Sequence, residues 1–196
     1  MIINERIYSL LQNGLISRID IKAYDHILFL IVLACVYIFK QWPKVLWLIT
    51  LFTIGHSITL ALSAYGILNI NAPLVEFLIP FTIFVTGLMN ILTAKKASQG
   101  KENQNLFFAL FFGLIHGLGF SNYFKIMIGK NNDKFFPLLE FALGVEAAQI
   151  IIVLLILLIG AVFQSVFTVS RRDWILVASS IVVGFAAQMM VDRIFW

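Results

Sequence analysis

Charge is the scarcest thing in this chain. Asp, Glu, Lys and Arg supply 12% of its 196 residues, while 61% are hydrophobic. A soluble domain averages about 25% charged and 45–50% apolar residues, so a water-soluble globular domain is excluded. The chain reads as an integral membrane protein whose core is the bundle itself. Cysteine is almost missing. Cys35 is the single one, so no internal disulfide forms and nothing follows about redox compartment. No G-x-x-x-x-G-K-[ST] motif is present, so any transport would be passive or ion-coupled. No linker is long enough to separate one domain from another, and 1–196 reads as one transmembrane domain. The early residues Asn4, Glu5 and Arg6 leave no clean apolar run and no small-residue cleavage site, so no signal peptide is expected. A bias in basic charge is missing as well. A six-span path puts seven Lys/Arg on each side, which leaves the orientation open. The net charge of +4 suits basic loops on a membrane protein and is no argument for nucleic acid as a partner.

What is there is apolar length. A helix needs about 20 apolar residues to cross the hydrocarbon core, and six runs qualify or nearly do: 24–39, 45–65, 74–93, 105–124, 136–163 and 174–191. Polar or turn-forming breaks separate them, among them Lys40-Gln41-Trp42-Pro43-Lys44, Lys95 to Gln104 and Arg171-Arg172-Asp173. The fold class is therefore an all-α bundle of six transmembrane helices in a lipid bilayer, or seven if the N-terminal residues add one. The first run is short. Residues 1–22 read as an amphipathic or interfacial segment before a short span. The other reading is a first helix of about 25 residues, which would put Asp25 and His26 near mid-depth. A kinked or broken first helix reconciles the two, since irregular backbone is tolerated where it lines a buried polar cavity.

Three histidines, His26, His56 and His116, fall inside or at the edge of these runs. Ionisable side chains within a membrane usually mark a pathway or site. In the second run Thr53, His56, Thr59 and Ser63 are spaced to share one helical face. They read as a polar stripe serving a site or as hydroxyls bridging helices around a satisfied histidine. Gly55 before His56 admits close approach of a neighbour. In the fourth run Gly113 and Gly117 form a small-xxx-small face, a packing device that does not itself need His116. Asp25 and His26 point about 100° apart on a helix, so one faces a site while the other orients a neighbour; the plain reading is a capping Asp with an interfacial His. Glu146 and Gln149 share a face of the fifth run. A carboxylate at that depth is protonated, paired or metal-bound. Glu76, Glu140 and Asp192 sit nearer span ends, where interfacial placement suffices. Asn90 and Gln188 read as interhelical glue. Phe52-x-x-x-His56 is echoed sixty positions on by Phe112-x-x-x-His116, on two runs that travel in the same direction. A parallel repeat or the abundance of phenylalanine would produce this.

The donor set narrows the partner. Imidazole and carboxylate suit Ni²⁺, Co²⁺, Zn²⁺ or Fe²⁺, whereas Cu(I) favours thiolate and thioether. Cys35 is alone, and Met89, Met127, Met189 and Met190 form no paired motif. The expected ligands are Asp25, His26, His56, His116 and Glu146, supported by Thr53, Ser57, Thr59 and Gln149.

These residues give the chain a resemblance to the HupE/UreJ family of hydrogenase and urease accessory membrane proteins. It is carried by Tyr24-Asp25-His26-Ile27-Leu28-Phe29-Leu30, by Phe52-Thr53-Ile54-Gly55-His56-Ser57-Ile58-Thr59-Leu60, by Phe112-Gly113-Leu114-Ile115-His116-Gly117-Leu118-Gly119-Phe120, and by Leu143-Gly144-Val145-Glu146 with Gln149. The resemblance implies a six- or seven-helix protein of the bacterial inner (plasma) membrane, linked to nickel or cobalt uptake. The hydrogenase branch has a His where Ile19 stands here, a second His and a Glu where Phe112 and Gly119 stand, and a cleaved signal. The chain looks more like a second branch.

Three function classes follow. The leading expectation is a divalent transition-metal permease with a mid-membrane His/carboxylate site. The alternative is an intramembrane zinc hydrolase, in which the three His hold Zn²⁺, Asp25 or Glu146 is the general base on its water, and Ser57 orients the substrate. The third is a scaffold with a buried polar network.

Overall fold

A computed structural model describes residues 24–68, 71–96, 102–129 and 134–195. The expected N-terminal segment 1–22 lies outside them. Among the described residues six α-helices follow one another: α1 Tyr24–Ala34, α2 Trp42–Ala64, α3 Ala72–Thr93, α4 Glu102–Ile128, α5 Phe135–Ser165 and α6 Arg171–Asp192. No strand occurs among the described residues. The last five helices are long and apolar enough to cross a membrane, so the protein is a multi-pass membrane protein.

The ends of these helices are written locally. Pro43 and Pro73 lie in the first turns of α2 and α3, where a missing N–H costs nothing. Gly66 ends α2 with φ +74° and Gly129 follows α4 with φ +55°, the left-handed conformation that closes a helix without a Cβ penalty. Ser170 caps α6, its hydroxyl accepting the Asp173 N–H at 3.1 Å.

The outer surface is apolar. Ile151, Leu155 and Leu158 on α5 and Ile181 and Phe185 on α6 are exposed, as lipid-facing positions should be. Inside, Phe29, Val32, Leu48, Phe52, Ile79, Ile83 and Phe112 join in one buried cluster.

The most extensive helix contact is α2 on α4, and glycine makes it. A Cβ at Gly113 would strike the Phe52 carbonyl, one at Gly117 the His56 carbonyl, and one at Gly55 the Leu110 carbonyl. The first two contacts join residues sixty-one positions apart, so α2 and α4 run parallel in a fixed register. The Phe-x-x-x-His echo is thereby laid side by side. Thr59 ties the same pair, its hydroxyl donating to the Leu114 carbonyl at 2.9 Å.

α1 departs from the expected span. It stops at Ala34, although the apolar run continues to Phe39. Its 11 residues measure about 16 Å, roughly half the hydrocarbon core. Two arginines at opposite ends of α6 grip this short helix. Arg171 donates to the Val36 carbonyl at 2.7 Å just past its C-terminus, and Arg193 pairs with Asp25 at its N-terminal end, Nη1 to Oδ2 2.9 Å and Nη2 to Oδ1 3.2 Å. Helix α6 thus works as a bracket that sets where α1, and with it His26, sits.

Candidate functional site: three imidazoles in a phenylalanine collar

The bracket presents His26 to the α2–α4 pair. Its ring centroid lies 5.0 Å from that of His116 and 5.9 Å from that of His56. Three helices therefore deliver one imidazole each to one place. His56 is 2% exposed and His116 0%, while His26 is partly exposed.

The collar is aromatic. Phe120 stands 4.9 Å from His26 and 5.4 Å from His56, ring centre to ring centre. Phe52 lies 5.2 Å from His116 and Phe29 5.1 Å from it. Phe141 closes the His56 side at 6.1 Å. Such walls supply almost no polar partners. The His116 Nε2 faces the Thr82 hydroxyl at 3.5 Å, a marginal hydrogen bond. Both ring nitrogens of His56 and the His116 Nδ1 are buried and find no hydrogen-bond partner among the described residues. Buried polar groups are nearly always satisfied, and one left open costs about 1–3 kcal/mol. Three open imidazole nitrogens in one apolar sleeve are therefore an arrangement that fold stability alone does not favour.

The carboxylates lie to either side. Asp25 and His26 diverge as neighbours on a helix must: His26 turns to α2 and α4, and Asp25 turns to Arg193 beyond α6. Glu146 and Gln149 attach along the α2–α5 seam. The Thr50 hydroxyl donates to Glu146 Oε1 at 2.8 Å and the Thr53 hydroxyl to Gln149 Oε1 at 3.1 Å. Thr50 and Thr53 sit about two turns and one turn before His56 on α2, so this seam continues the polar stripe away from the imidazoles. Thr59 serves the α2–α4 contact, and Ser57 is partly exposed. No group of three His, Cys, Asp or Glu side chains among the described residues is disposed to hold a single metal ion as it stands.

Sequence reasoning passed over Arg193, Thr50, Thr82 and the collar. Arg193 had a signal. Pro80 lies inside α3, so the carbonyl four residues before it, that of Glu76, loses its helical N–H donor. Arg193 Nη1 takes that carbonyl at 3.2 Å. Thr50 had none, because a threonine on an apolar helix commonly bonds its own backbone.

The chain belongs to the HupE / UreJ protein family, whose sequence profile matches residues 3–193, nearly its whole length. No curated protein and no solved structure matches it.

Proposed function

We propose that the protein is a divalent transition-metal permease of the nickel/cobalt type in the bacterial inner membrane, and that His26, His56 and His116 form the station its cargo occupies in mid-passage. The observation that carries this reading is the meeting of three imidazoles from three helices, with the His56 nitrogens left open. Imidazole nitrogen is a good donor to Ni²⁺, Co²⁺ and Zn²⁺. Two imidazoles on one tetrahedral ion, bound at about 2.0–2.1 Å, hold their ring centres roughly 5 Å apart. The 5.0 and 5.9 Å from His26 to its two partners lie near that figure, and the reading requires the rings to turn their nitrogens onto the shared ion.

Asp25 and Glu146 complete the reading as the flanking carboxylates. A dication in an apolar sleeve needs nearby negative charge, because neutral imidazoles offset none of its own. Gln149, Thr53 and Thr50 extend from the imidazoles towards Glu146 as oxygen donors along the seam, a graded route on which water is exchanged for protein ligands one at a time. The hydrolase alternative needs a general base against metal-bound water. The geometry favours it less, since Asp25 is clasped by Arg193 and Glu146 holds Thr50.

The test is metal binding by the purified protein in detergent, by titration calorimetry and elemental analysis. Wild type should bind one Ni²⁺, Co²⁺ or Zn²⁺ per chain, and His56→Ala should lose most of the affinity. Wild type that binds none of the three, or His56→Ala that binds as well as wild type, would sink the reading.

A further inference from the structure

We infer that Arg193 is a built-in stand-in for the cargo: its guanidinium occupies Asp25 when no metal is there, and an arriving dication and Arg193 exclude one another at that carboxylate. The inference rests on the permease reading and adds to it a gate with a named moving element.

Four observations meet here. The contact is a two-pronged one, with both guanidinium Nη atoms on both Asp25 oxygens at 2.9 and 3.2 Å, the geometry that satisfies a carboxylate most fully. It is largely shielded, with 5% of the Asp25 side chain and 15% of the Arg193 side chain exposed. Asp25 is next in sequence to His26 on α1, so whatever holds Asp25 bears on where that helix carries its imidazole. Lastly, Arg193 has somewhere to remain. The Glu76 carbonyl, freed by Pro80, already accepts from Nη1 at 3.2 Å. A guanidinium displaced from Asp25 keeps that acceptor and swings about it.

The place of Arg193 in the chain suits such a swing. It stands one residue beyond the last helical residue of α6, its backbone N–H still bonded to the Met189 carbonyl at 3.1 Å, so the swing is one of its long side chain alone. Its departure also releases one end of the bracket on α1. The occupant of Asp25 thereby decides whether α1 and its His26 are held against α3 and α6 or free to shift. Arginine keeps its charge at any working pH, so what displaces it is another cation and not loss of its proton.

Coupling of this kind is reciprocal: if the metal weakens the Arg193–Asp25 pair, removing Arg193 strengthens metal binding by the same factor, typically about 5–150-fold. The experiment is Ni²⁺ titration of the full chain in detergent for wild type, Arg193→Gln, Arg193→Lys, Asp25→Asn and the Asp25→Asn/Arg193→Gln double variant. Arg193→Gln should bind Ni²⁺ at least about fivefold more tightly than wild type. Arg193→Lys, which loses the two-pronged grip but keeps the charge, should fall between them, and it stands in should Arg193→Gln not fold. The gain should vanish in the double variant, which should match Asp25→Asn. A purely structural clasp would give the opposite sign, since loosening α1 would misplace His26. If wild type binds and Arg193→Gln and Arg193→Lys bind no more tightly, the stand-in role is wrong while the permease reading survives. Absence of binding in both would overturn the two together.

Discussion

Gly117→Ala is a one-carbon change whose effect follows from the α2–α4 contact. The added Cβ would overlap the His56 carbonyl and the Thr59 hydroxyl and lie 2.8 Å from the His56 Cα. These obstacles are α2 backbone and a hydroxyl already bonded across the interface, so no flexible side chain is there to step aside. The helices must move apart, by about 1 Å to restore an ordinary contact. Such a movement stretches the Thr59–Leu114 bond and carries His56 away from His116. Overpacking of this kind costs about 1–3 kcal/mol, and backbone obstacles put it in the upper half of that range. Against it stands the helix propensity of alanine, worth up to about 1 kcal/mol over glycine. The net is a loss of about 1–2 kcal/mol, or roughly 2–8 °C in melting temperature at this chain length. The control is Gly144→Ala, where nothing lies within 4 Å of the added carbon and only the propensity gain applies. Thermal unfolding of both variants in the same detergent, followed by tryptophan fluorescence, is the assay. A Gly117→Ala protein that melts at or above the Gly144→Ala protein would refute the claim that glycine sets the α2–α4 distance.

Two further outcomes follow from the site. Glu146→Gln should weaken Ni²⁺ binding by about 10–100-fold, the usual consequence of losing a supporting group around a metal, whereas Glu140→Gln, an exposed position nearer the end of α5, should change it by less than about twofold. Equal effects in calorimetric titration would remove Glu146 from the route. Affinity should also fall as pH drops from 7.5 to 5.5. Imidazoles ligate only when neutral, so protons compete with the metal for them. Binding that strengthens as the pH falls would count against imidazole ligation.

The six helices were legible because their information is local. Run length in hydrocarbon and the polar breaks at Lys40 to Lys44, Lys95 to Gln104 and Arg171 to Asp173 need no knowledge of neighbours. The meeting of the histidines was legible for a related reason: three imidazoles separately buried in lipid would each be unfavourable, so a shared centre is the economical arrangement. Asn90 fitted the same logic, its amide donating to the Val32 carbonyl of α1 at 2.7 Å. Gln188 did not. It bonds Asp192 within its own helix at 3.0 Å, because a residue on the face turned away from neighbours has only its own turn to use.

What could not be read depends on where helix ends come to rest. The apolar residues 35–38 look like more span, yet α1 ends before them. The turn is hidden from hydropathy because Arg171, 135 positions away, supplies the donor for the Val36 carbonyl. Asp25 looked like a ligand beside its histidine, and its partner Arg193 is 168 positions off. Both cases have one cause. A polar group on α1 or just past its end is completed by an arginine at an end of α6, and sequence alone does not tell which helix will lie alongside. The clue that survives in the sequence is Pro80. A proline inside a spanning helix leaves one carbonyl open, and an open carbonyl near a membrane face needs a donor with a long arm. All five arginines, Arg6, Arg18, Arg171, Arg172 and Arg193, lie outside the long apolar runs, so Pro80 calls for such a donor while only the fold selects Arg193, which also pairs with Asp25.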